Sequence, residues 1–212
     1  MKTIKLSSHN LEEAVATAVE FLIEGGVVLL PTETSYGLAA DAAREEAVAA
    51  VLRLKQDTSG KPLAVITDGR RQAEAIAAFN PAAVRLWDRF LPGPLTLVLP
   101  VSLGAGLVPQ CVGKERTVGV RYPGYPFAVQ VAERLERPYA ATSANLSGQP
   151  PAYSVEEFLG SLPEEAGLPH LVVDAGTLPI RPVSTVVSVI DGVEVLREGA
   201  IARAEIESVL AD

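Results

Sequence analysis

The sequence has almost none of the residues from which thiolate chemistry and metal centres are built. It contains one cysteine, Cys111, and two histidines, His9 and His170. A single cysteine excludes an intrachain disulfide and a zinc site made of cysteine thiolates. A Cys–His nucleophilic pair would require Cys111 to fold against one of the two histidines. The expected state of Cys111 is therefore a buried, inert thiol.

The sequence also has no surplus of basic residues and no long apolar run. The net charge is −8, from 18 Lys and Arg against 26 Asp and Glu. Because nucleic-acid binding depends on clustered lysines and arginines that neutralise phosphates, this balance favours a small-molecule ligand, although a local basic cleft stays allowed. No apolar run approaches the ~20 residues that span a bilayer. The N-terminal stretch MKTIKLSSHN has no signal-peptide core, so we expect a cytoplasmic protein without membrane association.

The spacing of apolar residues predicts strands and helices that alternate along the chain. Predicted strands cover 2–6, 27–30, 62–66, 95–99, 117–121, 139–142, 171–174, 184–190 and 193–197. Predicted helices cover 11–22, 44–54, 70–78, 81–90, 125–135, 154–161 and 202–210. Asn10 with Glu13 predicts a capping box on the first helix. Because several connections are short, the pattern indicates a single α/β domain over residues 1–212 with a mixed sheet, not a purely parallel one.

Polar clusters follow several predicted strands. In VVLLPTETSYGLAADA, residues 27–42, a buried strand runs directly into hydroxyl side chains, at the strand end where ligands bind in open α/β sheets. The alternative is that these hydroxyls cap a helix. Lys55 and Lys61 flank a Ser-Gly turn, which predicts either an anion site or a solvated helix end. Arg121 ends the strand TVGVRYP and suits a carboxylate or phosphate, the alternative being a surface ion pair.

One familiar catalytic motif and one dinucleotide-binding motif are incomplete in this sequence. Ser143, in ATSANLSG, does not lie in a Gly-x-Ser-x-Gly elbow, which argues against a hydrolase nucleophile. Gly104 and Gly106 follow a strand as in a dinucleotide fingerprint, but Pro109 stands at the third glycine position.

Seven segments together are far more specific than any one of them. They are PTETSYGLAADA, KxxxxxKPL, PGPLTLVL, TVGVRYP, TSANLSG, STVVSV and LREGAI, and they span about residues 10–205. In this order and spacing they resemble the L-threonylcarbamoyladenylate synthase family, which has the YrdC-like domain.

The resemblance implies a fold and an activity. The fold is a twisted mixed α/β sheet with flanking helices around a concave, electropositive cavity. Members join L-threonine, bicarbonate or CO2, and ATP into threonylcarbamoyl-AMP, and they release pyrophosphate. The product is then handed to a tRNA threonylcarbamoyl transferase complex that modifies an adenosine. Direct contact with tRNA is left open by the sequence.

The resemblance also assigns roles by position. L-Threonine would be bound by Thr34, Arg121 and Ser184. The nucleotide would be bound by Lys55, Lys61, Thr117, Ser143, Asn145 and Arg197. Catalysis would come from charge stabilisation by Lys55, Lys61 and Arg121, with Mg²⁺ arriving on ATP and no metal site in the protein itself.

Three positions depart from the family pattern. Asp57 stands where an arginine is usual, Ile66 where some members have a histidine, and Tyr153 where they have a threonine. Asp57 would point away towards Arg53, help to hold the metal, or weaken ATP binding.

These departures keep several alternatives open. The first is a diverged paralogue with weak or no synthase activity, and the second is an RNA-binding or ribosome-maturation module. A carbamoyl-transfer domain of the hydrogenase-maturation type is a third. It is disfavoured because the chain has no cysteine-rich zinc segment.

Overall fold

A computed structural model describes residues 1–211, and within them ten strands form one mixed sheet. The strands are β1 Lys2–Lys5, β2 Val28–Pro31, β3 Tyr36–Asp41, β4 Ala64–Ile66, β5 Leu95–Pro100, β6 Thr117–Arg121, β7 Tyr139–Ser143, β8 Leu171–Asp174, β9 Thr185–Ser188 and β10 Glu194–Arg197. Their order in the sheet is β1-β8-β2-β3-β7-β4-β6-β5-β9-β10. Pairs β1/β8, β2/β8, β4/β6 and β5/β9 are parallel, and the remaining neighbours are antiparallel. The predicted mixed sheet is therefore confirmed.

Helices flank the sheet at the predicted places. They are α1 Leu11–Ile23, α2 Glu45–Leu54, α3 Arg70–Ile76, α4 Pro81–Phe90, α5 Pro126–Leu135, α6 Val155–Ser161 and α7 Arg203–Ala211. Asn80 caps α4 as expected, since its side chain accepts a hydrogen bond from the backbone N–H of Ala83. Among residues 1–211, no helix has the length and apolar composition needed to cross a bilayer.

The predicted capping box at Asn10 is wrong. The side-chain oxygen of Asn10 accepts from the backbone N–H of Ser7, and its amide donates to the carbonyl of Lys5. Asn10 therefore closes the loop before α1 and leaves the first turn of that helix without a side-chain cap. The reciprocal capping box of this chain lies at Ser154 and Glu157, at the start of α6.

Strand β3 is the element that the sequence pattern does not predict. Its residues, YGLAAD, include glycine and alanine, which have little preference for strands. All six are buried, so the alternation that identifies a half-exposed strand is missing. β3 pairs with β2 in an antiparallel hairpin, in which Pro31 lies opposite Tyr36. The cluster Thr32–Ser35 is therefore the turn of this hairpin.

The two faces of the sheet are covered differently. One face packs under α2, α3, α4, α6 and α7 in a large core that includes Leu29, Leu97 and Val120. The other face is covered by α1 and α5 only over β8, β2, β3, β7 and β4, where a second core includes Leu30 and Tyr139. Over β6, β5 and β9 the same face lines a cavity of about 570 Å³. The cavity thus lies on the same face of the sheet as the second core, beyond the strands that α1 and α5 cover.

A substitution in the large core tests this layering. Leu97 lies on β5 and is fully buried. Leu97→Ala should lower the free energy of unfolding by about 2–5 kcal/mol, because a cavity would remain where the side chain was. Urea unfolding monitored by circular dichroism measures the change. Leu103→Ala is the matched control, since Leu103 is 89% exposed and should change stability by no more than about 0.5 kcal/mol. Equal losses in the two variants would contradict the assignment of β5 to the core.

Candidate active site

Side-chain alternation along the strands places the cavity residues. Thr117, Gly119 and Arg121 share one face of β6, and all three line the cavity. A Cβ added to Gly119 would lie 3.4 Å from the side chain of Thr96, so glycine keeps the floor open at this point. Thr117 and Arg121 are four residues apart, which separates their Cα atoms by about 13 Å. The cavity is therefore long enough to hold two linked ligand groups. The other strand ends that reach it carry Thr96, Ser143 and Ser184.

Arg121 lies at one end of the cavity and is held by the β2–β3 hairpin turn. Its Nη2 donates to Glu33 Oε1 at 2.7 Å and to Thr34 Oγ1 at 3.0 Å. The Thr32 hydroxyl donates to the carbonyl of Ser35 at 2.7 Å, so the 3.0 Å contact between the Thr32 and Thr34 hydroxyls takes its hydrogen from Thr34. Thr34 thus accepts from Arg121 and donates to Thr32. The turn is a connected network, and its alternative reading as a helix cap is wrong.

Ser184 is held in a similar way by Arg197. The Nη2 of Arg197 donates to Ser184 Oγ at 3.0 Å and to the Ser184 carbonyl at 2.8 Å. Thr96 Oγ1 lies 3.1 Å from Ser184 Oγ. Desolvation lowers the pKa of Arg197, and the positive charge of Arg121 lowers it further. The two guanidinium groups are therefore close enough to repel each other. Two positive charges on one cavity are a suitable arrangement for an anionic ligand.

Lys55 and Asn145 lie behind the cavity wall instead of on it. Lys55 is 4% exposed, and its Nζ donates to the carbonyl of Ser143 at 2.6 Å, to that of Asn145 at 3.0 Å and to Asn145 Oδ1 at 2.9 Å. The Ser143 hydroxyl also donates to Asn145 Oδ1. The Asn145 amide donates to the carbonyls of Leu146 and Gln149. This network fixes the segment that presents Ser143 to the cavity.

The rim opposite Arg121 carries Lys61 and Asp57. Lys61 is exposed and lines the cavity together with Asp57. The Asp57 carboxylate accepts from the backbone N–H of Ser59 at 2.9 Å, and hydrogen bonds from Ser59 hold the pKa of Asp57 below its usual range. Within residues 1–211 no ion pair joins Asp57 to Arg53. Asp57 therefore does not point away from the site towards that arginine, and its negative charge faces the cavity.

Cysteine and histidine are absent from this arrangement. Cys111 is fully buried, and burial raises the pKa of its thiol to about 12, so the expected inert thiol is confirmed. His170 Nδ1 accepts from the backbone N–H of Val27 at 2.9 Å, which is a structural contact. In the described part of the chain, no three His, Cys, Asp or Glu side chains are grouped closely enough to hold a metal ion.

The cavity brings together most of the residues that the sequence singles out. These are Thr34, Lys61, Thr117, Arg121, Ser143, Ser184 and Arg197. Lys55 and Asn145 reach the site only through Ser143. Glu33 and Thr96 take part in the hydrogen bonds of the site, although the sequence assigns neither of them an individual role. Glu33 precedes the predicted residue Thr34 in the motif PTETSYGLAADA. Thr96 lies in the motif PGPLTLVL, on the face of β5 that lines the cavity. The position next to Thr34 and the alternation along β5 could have identified them.

Comparison with known proteins gives consistent matches over nearly the whole chain. The model of the Sua5/YciO/YrdC family, described as telomere recombination, matches residues 20–199. The threonylcarbamoyl-AMP synthase of Pyrococcus abyssi is 38% identical over 208 residues, 95% of this chain and 58% of that protein. The threonylcarbamoyl-AMP synthase of Bacillus subtilis is 38% identical over 211 residues, 98% of this chain and 59% of that protein. The chain thus spans about three-fifths of the length of these curated relatives.

A solved structure matches at the level of the fold and the sequence. P. abyssi Sua5, in a crystal structure complexed with L-threonine, superimposes with a TM-score of 0.85 at 34% identity. The match covers 99% of this chain and 59% of that chain.

The network around Lys55 yields a test with a defined pH dependence. Lys55→Met should lower the free energy of unfolding near neutral pH by about 1–3 kcal/mol, because two buried carbonyls lose their donor. Burial lowers the pKa of Lys55 from 10.5 to about 8. Between those values the unfolded chain keeps a proton that the folded protein has released, so the wild type gains stability as pH rises, and Lys55→Met lacks this gain.

Urea unfolding of both proteins at about pH 7.5 and about pH 10 measures this difference. Lys61→Met is the control, since Lys61 is exposed. A stability difference between wild type and Lys55→Met that does not change with pH would contradict the lowered pKa.

Proposed function

Because this chain belongs to the Sua5/YciO/YrdC family, as its motifs predicted, we propose that it is a threonylcarbamoyl-AMP synthase. It would join L-threonine, bicarbonate or CO2, and ATP, and release pyrophosphate. Homologues with this name are 38% identical over almost all of the chain. The observation that carries the proposal is a single cavity lined by Thr34, Arg121 and Ser184 and also by Lys61 and Thr117, in which the Cα atoms of Thr117 and Arg121 are about 13 Å apart.

The amino acid would occupy the end of the cavity at Arg121. A guanidinium group recognises a carboxylate through paired hydrogen bonds and opposite charge. The hydroxyls of Thr34 and Ser184 can each donate and accept, which suits the polar groups of threonine. P. abyssi Sua5, 34% identical, binds L-threonine in its crystal structure, and this supports the assignment of the ligand class.

The nucleotide would occupy the remainder of the cavity. Lys61 and Arg197 supply positive charge for phosphates, and Thr117 and Ser143 supply hydroxyls on the same face of the sheet. Lys55 and Asn145 would act behind this surface by fixing Ser143. Mg²⁺ would arrive with ATP as part of the substrate.

The proposed chemistry requires positioning and charge stabilisation rather than a protein nucleophile. The amine of threonine loses a proton and forms an N–C bond to CO2, which gives a carbamate. A carbamate oxygen then forms a bond to the α-phosphorus of ATP while the bond from that phosphorus to the bridging oxygen breaks, and pyrophosphate leaves with the electron pair. Negative charge accumulates on the phosphate oxygens, next to the guanidinium groups and hydroxyls of the cavity.

The product would be consumed by a tRNA-modifying transferase. A mixed anhydride of a carbamate and AMP is a reactive acyl donor, so it requires an acceptor close to its site of synthesis.

Direct binding of RNA as the main function has less support, because the net charge is −8 and phosphate binding depends on clustered cations.

Substitution of Arg121 tests the amino-acid end of the cavity. Arg121→Ala should lower kcat/KM for L-threonine by about a hundredfold, because a charged hydrogen-bond pair to the carboxylate is lost. Release of pyrophosphate in the presence of ATP, bicarbonate and L-threonine measures the rate. Arg134→Ala is the control, since Arg134 is exposed on α5 and should leave the rate unchanged. A wild-type protein that releases pyrophosphate without any dependence on L-threonine would overturn the proposal.

Substitution of Asp57 tests the nucleotide end. Asp57→Asn removes one negative charge from the cavity and keeps an acceptor for the backbone N–H of Ser59. The dissociation constant for MgATP should fall by about three- to tenfold, because repulsion between a partly exposed carboxylate and the triphosphate is worth about 1 kcal/mol.

Isothermal titration of MgATP into both proteins gives the two dissociation constants. Asp68→Asn is the matched control, since Asp68 does not belong to the residues that line the cavity. Equal affinity of Asp57→Asn and wild type would show that Asp57 does not act on the nucleotide. A wild type with no measurable affinity would favour a diverged paralogue.

A further inference from the structure

The ion pair between Glu33 and Arg121 is only half formed. The two side chains are each 13% exposed, and one contact of 2.7 Å joins Glu33 Oε1 to Arg121 Nη2. Among the described residues, Glu33 Oε2 and Arg121 Nε are buried and have no hydrogen-bond partner. Buried polar groups normally have partners, so an ion pair that leaves two of its own atoms unpaired requires an explanation.

The contacts of Arg121 show which of its guanidinium nitrogens the protein itself occupies. Nη2 is shared between Glu33 and Thr34, and Nε is enclosed. Nη1 has no partner within residues 1–211 and does not belong to the buried unpaired atoms, so it is the nitrogen that remains accessible on the cavity side. Glu33 itself does not line the cavity, whereas Arg121 and Thr34 do. The carboxylate therefore holds Arg121 from behind and leaves the opposite edge free.

The backbone on both sides of Glu33 is fixed. Thr32 donates twice to the carbonyl of Ser35, through its backbone N–H and through its hydroxyl. A Cβ added to Gly124 would lie 3.8 Å from Cγ of Glu33, so the stem of this side chain also has a close neighbour. Arginine has one of the largest side-chain entropies, and a rigid partner restricts it before a ligand binds.

We propose that Glu33 is a positioning residue for the amino-acid end of the cavity. Its carboxylate fixes the Arg121 guanidinium so that Nη1 meets the carboxylate of the amino acid. This inference depends on the proposed function, because it requires Arg121 to bind that carboxylate. It goes further by naming a residue that touches no substrate and acts through Arg121.

Two opposing effects of Glu33 must be separated in any test. Its hydrogen bond orders Arg121 and favours binding, whereas its negative charge repels an incoming carboxylate. Glu33→Gln removes the charge and keeps a carbonyl oxygen that can accept from Nη2. Glu33→Ala removes both. The difference between the two variants therefore isolates the positioning hydrogen bond from the charge.

Isothermal titration of L-threonine and of MgATP into wild type and the two variants provides the first measurement. Glu33→Ala should bind L-threonine at least about tenfold more weakly than Glu33→Gln, which is the size expected for one hydrogen bond to a charged group. The affinity for MgATP should agree within about twofold in all three proteins, because only the amino-acid end is altered. Equal L-threonine affinities of Glu33→Ala and Glu33→Gln would overturn the proposal.

A second measurement does not depend on any ligand. In protein with ¹⁵N-labelled arginine, the Nε–H resonance of Arg121 is assigned by its loss in Arg121→Lys, and its heteronuclear NOE reports side-chain order. The NOE should be that of a rigid group in wild type and in Glu33→Gln, and it should fall in Glu33→Ala to the value of exposed Arg134. A rigid Arg121 in Glu33→Ala would overturn the positioning role. A wild type that fails to bind L-threonine would instead refute the proposed function, while the NOE still decides the role of Glu33.

Discussion

The positions of two helices on the sheet decide where this protein has a core and where it has a cavity. On one face of the sheet, α1 and α5 cover β8, β2, β3, β7 and β4 and bury apolar side chains. The same face continues over β6, β5 and β9, where the alternating positions carry threonine, glycine, arginine and valine, with Ser184 directly before β9. Strand alternation forces these side chains to one side, because their neighbours along each strand belong to the large core on the other face. Core and site are thus specified by the same strands.

Three cavity side chains share a common construction, in which neighbouring side chains hold each of them by hydrogen bonds. Arg121 is held by Glu33, Ser184 by Arg197, and Ser143 by Asn145 and Lys55. A site of this kind loses little side-chain freedom when a ligand binds, and its dipoles are already aimed at the place where charge develops. The supporting groups are as important to the geometry as the groups that a ligand touches.

The sequence predicts the lining of the cavity better than its support. Arg121 and Thr117 are recognisable because they lie on the polar side of a clearly alternating strand. Strand β3 is missed because both of its faces are buried. Its sequence therefore does not alternate between apolar and polar residues. The inward direction of Lys55 is missed for a related reason. Its partners, Ser143 and Asn145, are 88 and 90 residues away, and no local pattern records a contact over that distance.

The charge of the cavity places a limit on how the proposed reaction can work. Its charged lining side chains, within residues 1–211, are the cations Lys61, Arg121 and Arg197 and the anion Asp57. Three positive charges and one negative charge leave a surplus of two, while the chain as a whole carries −8. ATP brings about four negative charges, and the carbamate and carboxylate of the amino acid add about two more. For the proposed reaction, the charged side chains of the cavity would leave about four negative charges of the ligands unpaired, and a divalent cation accompanying ATP would supply part of the balance. An arginine at position 57 would shift that balance by two charges. In the proposed reaction, the aspartate would make the site depend more strongly on that cation and on the hydroxyl donors that line the cavity.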